Sequence, residues 1–248
     1  MLIILTAAIA PALLLLYYVY SKDFNPEPRR LVFRGFIYGG LATFVSTLIS
    51  GPLLNMGFFL NDPSTIMEAV KVSFFGAAIP EESAKLFMLW LLLRRCPEFN
   101  ERYDGLVYAA SVGLGFACLE NLMYVISSGS AWFYVSVTRA LFAVPGHFAF
   151  AIVMGYYYSK IHFDGSDGSD KVKVWLYPVL LHGIYDTLAF SSEISAVFSG
   201  LISLALVFFC IKLFKATRKR ILNAAATNKR DSTLYYDPRS DDGSPDEQ

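Results

Sequence analysis

Charge is scarce in this 248-residue chain: Asp, Glu, Lys and Arg make up 17% of it, against 55% hydrophobic residues. That excludes a soluble globule of this length, which would need far more polar surface. Acids and bases balance to a formal net charge of zero, so no basic face for nucleic acid is indicated. Cysteine is rare too. Cys96, Cys118 and Cys210 are widely spaced with no CxxC, which argues against a disulfide framework or a zinc knuckle. The HExxH signature of helical zinc proteases is missing, and so is the internal repeat that many carriers show.

What the chain has in abundance is long apolar runs. Seven stretches come near the ~20 residues a bilayer core requires: 2–20, 32–53, 70–93, 106–126, 132–158, 174–190 and 194–214. The fold class is therefore all-α, a polytopic membrane helix bundle occupying 1–215. The first stretch lacks a basic leader and is read as a retained helix. From 216 to 248 the chain starts basic and ends DPRSDDGSPDEQ. It is too polar to bury a core, and a disordered cytoplasmic tail is expected, its basic root lying against anionic headgroups.

Basic residues fall after every second span, with Lys71 just inside the third as the one exception. Lys22, Arg29, Arg30 and Arg34 follow the first, Arg94, Arg95 and Arg102 the third, Lys160, Lys171 and Lys173 the fifth, and Lys212, Lys215, Arg218, Lys219 and Arg220 the seventh. The positive-inside rule places the N-terminus outside and the C-terminus in the cytoplasm of a cell membrane.

Against this apolar background a few ionisable residues stand out: Glu81 and Glu82 in the third span, Glu120 in the fourth, Arg139 and His147 in the fifth, His182 and Asp186 in the sixth. Each costs roughly 2.5–3.5 kcal/mol at a bilayer centre on insertion scales. Gathering them into one polar cluster inside the bundle costs less than scattering them through lipid. Lys85 lies four residues after Glu81 and three after Glu82, on their face of a helix, and is expected to neutralise one of them. Pro80 is expected to interrupt the span and leave both glutamates in a first turn, where free N–H groups favour negative charge. His182 and Asp186 form an i, i+4 pair in which the aspartate can orient the imidazole. Pro145-Gly146 is expected to kink the fifth span beside His147, and Arg139 is a counter-charge for Glu120 or Asp186. Gly113 and Gly115 allow a neighbouring helix to approach near Glu120. Any one of these residues alone is as well explained by an interhelical hydrogen bond. Four spans supplying such groups together point to a site.

At these residues the chain resembles the PrsW intramembrane proteases, relatives of the type II CAAX prenyl endopeptidases and bacteriocin-immunity proteins. The motifs are Glu81-Glu82-x-x-Lys85, Phe116-x-x-x-Glu120, His147 and His182-x-x-x-Asp186, and the resemblance spans 74–190. It implies an endopeptidase that cuts a single-span membrane protein such as an anti-sigma factor on the extracytoplasmic side. It also implies that the glutamate pair activates water while the histidines position it or polarise the carbonyl. The chain departs from the prenyl endopeptidases in carrying Glu120 where they have a histidine, Asp186 where they have an asparagine, and Lys85 one residue before their arginine. The residues leave metal dependence open: a metal-free glutamate mechanism is preferred, with zinc held by Glu81, His147 and His182 as the alternative. A proton-coupled transporter or a non-catalytic scaffold remain rivals from other classes.

Overall fold

Seven apolar runs become seven helical rods in the computed structural model, which describes residues 2–165, 168–194 and 198–235. The rods are α1 (Leu2–Tyr20), α2 (Arg29–Asn55), a compound third rod, α5 (Asp104–Ser127), a compound fifth rod, α8 (Ser169–Ile194) and α9 (Ser199–Tyr235). The third rod joins α3 (Ile66–Lys71), a π-helical segment (Val72–Ala78) and α4 (Ile79–Leu93). The fifth joins a single 3-10 turn (Gly129–Ala131) to α6 (Trp132–Leu141) and α7 (Ala143–Phe163). No strand occurs among the described residues. Five of the rods are long and apolar enough to cross a membrane. The third rod and α8 fall short of that, and both carry ionisable pairs that dilute their apolar character.

Three expectations are corrected. Pro80 does not interrupt the third rod: Ala78 and Ile79 keep right-handed helical backbone angles, and the change is one of period. Ile79 N–H donates to Phe74 O, five residues back. A proline clashes with the carbonyl four residues before it, and a wider turn ahead of Pro80 relieves that conflict without ending the helix. The fifth rod does break, but at Phe142 (φ −123°, ψ −59°), ahead of Pro145-Gly146. Pro145 then falls in the first turn of α7, where a missing N–H costs little. Lastly, α9 runs helical past residue 216 as far as Tyr235, so the tail's first part is not disordered. Residues 236–248 lie outside the described residues.

The centre of the bundle is α5. Nearly every residue from Asp104 to Cys118 is buried, as in a helix surrounded on all sides. It packs against α2 on one flank and α7 on another, with α1 alongside. Gly115 makes the α2 crossing possible: a Cβ there would lie 1.9 Å from the Phe36 carbonyl oxygen. Gly113 does the same toward α7, where a Cβ would meet Ala151 at 2.5 Å. By contrast α1 and α9 expose Leu13, Leu14, Leu201, Leu204 and Phe208, the outer faces that lipid would cover.

Candidate active site

The site begins at the change of period in the third rod. A Thr65/Glu68 capping box starts α3, the π segment carries the chain inward, and Glu81 and Glu82 enter on the first turn of α4. Glu82 is fully buried. Its Oε1 accepts from Lys85 Nζ at 2.9 Å and faces His182 Nδ1 at 2.9 Å, while Oε2 is enclosed without a hydrogen-bond partner. Glu81 is held more loosely, 3.4 Å from Lys85 Nζ and 3.9 Å from His182 Nε2. The i+3 and i+4 spacings thus bring Lys85 to both acids, as expected, and the ammonium favours Glu82.

A second arm comes from α5, α6 and α7. Arg139, in the last turn of α6, donates to Glu120 Oε2 at 2.6 Å and to Asn121 Oδ1 at 2.9 Å. Of the two partners considered for it, Glu120 is the one it meets. His147, on the first turns of α7, places Nε2 at 2.9 Å from Glu120 Oε2 and Nδ1 at 3.0 Å from Lys85 Nζ. Lys85 also lies over the Phe116 ring, 3.9 Å from its centroid, so the aromatic residue four before Glu120 belongs to the same wall. Asn121 is a site neighbour that the sequence did not flag. It donates to the Ala8 carbonyl of α1 at 2.7 Å and ties that helix to the arginine.

The third arm is α8. His182 stacks on Phe150 with ring centroids 5.0 Å apart, and its Nε2 lies 3.2 Å from Asp186 Oδ2. Gly183 is what lets α8 come this close, since a Cβ there would stand 2.4 Å from Phe74 Cζ of the π segment. All eight residues singled out in the sequence therefore meet in one connected cluster.

The hydrogen bonds assign the rings. An ammonium only donates, so His147 Nδ1 accepts from Lys85 and Nε2–H donates to Glu120: the ring is neutral. Carboxylates only accept, so His182, flanked by Glu82 and Asp186, is complete as a double donor. Four carboxylates then face Lys85, Arg139 and the His182 imidazolium. The acids at the edge are Glu81, Glu120 and Asp186, with side chains 13%, 15% and 18% exposed, whereas Glu82 and Lys85 are at 0% and 2%. Glu81, Glu120 and Asp186 form the mouth, and Glu82 and Lys85 the floor.

A metal fits by donor type. One donor atom each from Glu81, His147 and His182 lie within 4.8 Å of one another, and two imidazoles with a carboxylate suit zinc with one open position. Binding would require His147 to release Lys85 or Glu120 and His182 to give up a proton.

Over residues 27–214 the chain matches the family described as "PrsW family intramembrane metalloprotease". The chain belongs to the PrsW family. Protease PrsW of Oceanobacillus iheyensis is 36% identical over 229 residues, covering 90% of this chain and 100% of its own. Protease PrsW of Geobacillus kaustophilus is 33% identical over 219 residues, covering 87% and 92%. That of Bacillus subtilis is 38% identical over 190 residues, covering 74% and 81%. No solved structure matches the chain. PrsW membership, together with the apolar rods, makes this a multi-pass membrane protein from a family of intramembrane proteases.

Proposed function

We propose that the chain is an intramembrane endopeptidase of the cell membrane in which Glu81 is the general base, and that its substrate is a single-span membrane protein such as an anti-sigma factor. The observation that carries the assignment is the unequal treatment of the glutamate pair. Lys85 and His182 hold Glu82 Oε1 at 2.9 Å each on the floor of the site, while Glu81 stands at the mouth with longer contacts. A carboxylate committed to two close donors is a poor base, and one at the edge is free to take a proton from water. Water on Glu81 attacks the peptide carbonyl, and the proton passes to the carboxylate. His182 Nε2–H, turning from Asp186 Oδ2 while Nδ1–H stays on Glu82, donates to the developing oxyanion. Glu81 then returns its proton to the leaving amine. Lys85, His147, Glu120 and Arg139 position these groups.

With the N-terminus outside, Glu81 and His147 fall near the middle of inward-running rods and Glu120 and Asp186 in the last third of outward-running ones, which puts the cluster between the middle and the outer side of the membrane. That supports a cut on the extracytoplasmic side.

The second reading is a metalloprotease, favoured by the convergence of Glu81, His147 and His182. A metal there would supply Lewis acidity and a bound hydroxide. The metal-free reading is preferred because Lys85, buried and 3.0 Å from His147 Nδ1, already places a positive charge where the metal would go.

The test is cleavage of a single-span anti-sigma substrate by the purified protein in detergent. Glu81→Gln should lower kcat by roughly 10²- to 10⁴-fold, with wild-type activity surviving a strong zinc chelator. Loss on chelation with recovery on added zinc would establish the second reading. Full cleavage by Glu81→Gln would overturn both and move the base to another residue, whereas no cleavage by a well-folded wild type would favour a scaffold or transporter.

A further inference from the structure

A second cluster of acids sits at the other end of the bundle. Asp104 opens α5 sixteen residues before Glu120, about 24 Å away along the helix. Asp23 and Glu27 lie in the connection between α1 and α2. All three are buried, at 8%, 4% and 1% exposure for Asp23, Glu27 and Asp104, and one oxygen of each lies within 4.8 Å of the others. Neighbouring cations are engaged elsewhere: Lys22 over the Tyr18 ring, Arg30 with Glu98, Arg102 with Asp164.

The hydrogen bonds anchor each carboxylate by one oxygen. Asp104 Oδ2 accepts from the Asn100 and Glu101 amides at 2.9 and 2.6 Å, Asp23 Oδ1 accepts from Asn25 N at 3.2 Å, and Glu27 Oε2 accepts from the Tyr108 hydroxyl. Asp23 Oδ2 and Asp104 Oδ1 are enclosed with no hydrogen-bond partner, and so is Glu101 Oε2 beside them. Enclosed acceptors of this kind normally find a donor or an ion.

We propose that Asp23, Glu27 and Asp104 bind a hard divalent cation, magnesium or calcium, that clamps the α1–α2 connection to the start of α5. The donors are all oxygen, with neither nitrogen nor sulfur, which suits these hard ions better than zinc or copper. The anchoring bonds fix the carboxylates before the ion arrives, so binding needs little reordering. Tyr103 adds to the same junction by donating to the Val19 carbonyl at 3.0 Å. The site is separate from the protease cluster and does not depend on the reading of it.

The experiment uses the full-length protein in detergent, stripped of metal and titrated with magnesium or calcium chloride against sodium chloride at matched ionic strength. A saturable rise in unfolding temperature is expected, roughly 5–10 °C at a hundredfold excess over Kd. The ion with the lower midpoint is the preferred one. Asp104→Asn should lose the response, and Glu81→Gln should keep it. Because Asp104→Asn can disturb folding, terbium luminescence sensitised by Tyr108 gives a reading on the wild type: a saturable signal displaced by calcium or magnesium is expected. No shift beyond that of sodium chloride, together with no displaceable terbium signal, overturns the proposal and leaves three carboxyls that share protons.

Discussion

Lys85 satisfies four partners with one ammonium: Glu82 at 2.9 Å, His147 at 3.0 Å, Glu81 at 3.4 Å and the face of Phe116 at 3.9 Å. Replacing it with methionine keeps the volume but leaves buried Glu82 with His182 as its one remaining partner. Lys85→Met is expected to destabilise by about 3–5 kcal/mol, read as unfolding in detergent, whereas Glu81→Gln, changed at the mouth, should unfold close to wild type. Equal losses in the two variants would show that Lys85 is not committed to Glu82. At this scale the sequence was informative wherever partners share a helix. Glu81, Glu82 and Lys85, or His182 and Asp186, are set by i+3 and i+4 spacing alone. The choice between Glu120 and Asp186 for Arg139 depended on the placement of α6, which no local pattern encodes. Asn121 escaped because it is uncharged, and the cost of burying charge was the signal being followed.

At the level of elements, the site depends on how closely α8 approaches the π segment. Gly183→Ala would push a methyl group to 2.4 Å from Phe74 Cζ, moving either the ring or the helix that carries His182. The expected cost is about 1–3 kcal/mol with a fall in kcat, and Phe74→Leu should restore part of both. Gly115→Ala gives a useful contrast, since it meets the backbone carbonyl of Phe36 and no side-chain change can make room. If Phe74→Leu brings no recovery, the Gly183 contact is not what positions His182. Both prolines signalled irregularity correctly but not its form. Pro80 produced a change of helical period, because continuous apolar packing holds the rod together on either side of it. Pro145 fitted the opening turn of α7, so the break moved three residues earlier, to Phe142.

For the molecule as a whole, seven rods were legible from the apolar runs, because bilayer thickness fixes their length. Which rods are neighbours was not, and the central position of α5 rests on glycine contacts with α2 and α7 that only the packed bundle shows. The acids at Asp23, Glu27 and Asp104 passed unnoticed for a related reason: acids at span ends are ordinary, and their burial depends on how the α1–α2 connection meets the start of α5. The protease cluster, by contrast, declared itself through charges in the wrong solvent. Its mouth has a further consequence for selectivity. Glu81, Glu120 and Asp186 line the opening and bias its potential negative, focused by low-dielectric walls. A substrate carrying Asp or Glu beside the scissile bond would be repelled as it entered. Acidic residues placed at either flank of the cut should therefore raise KM more than lysines at the same places, a preference measurable with a set of matched single-span substrates. The bundle would thus read its substrate by what that segment must not carry.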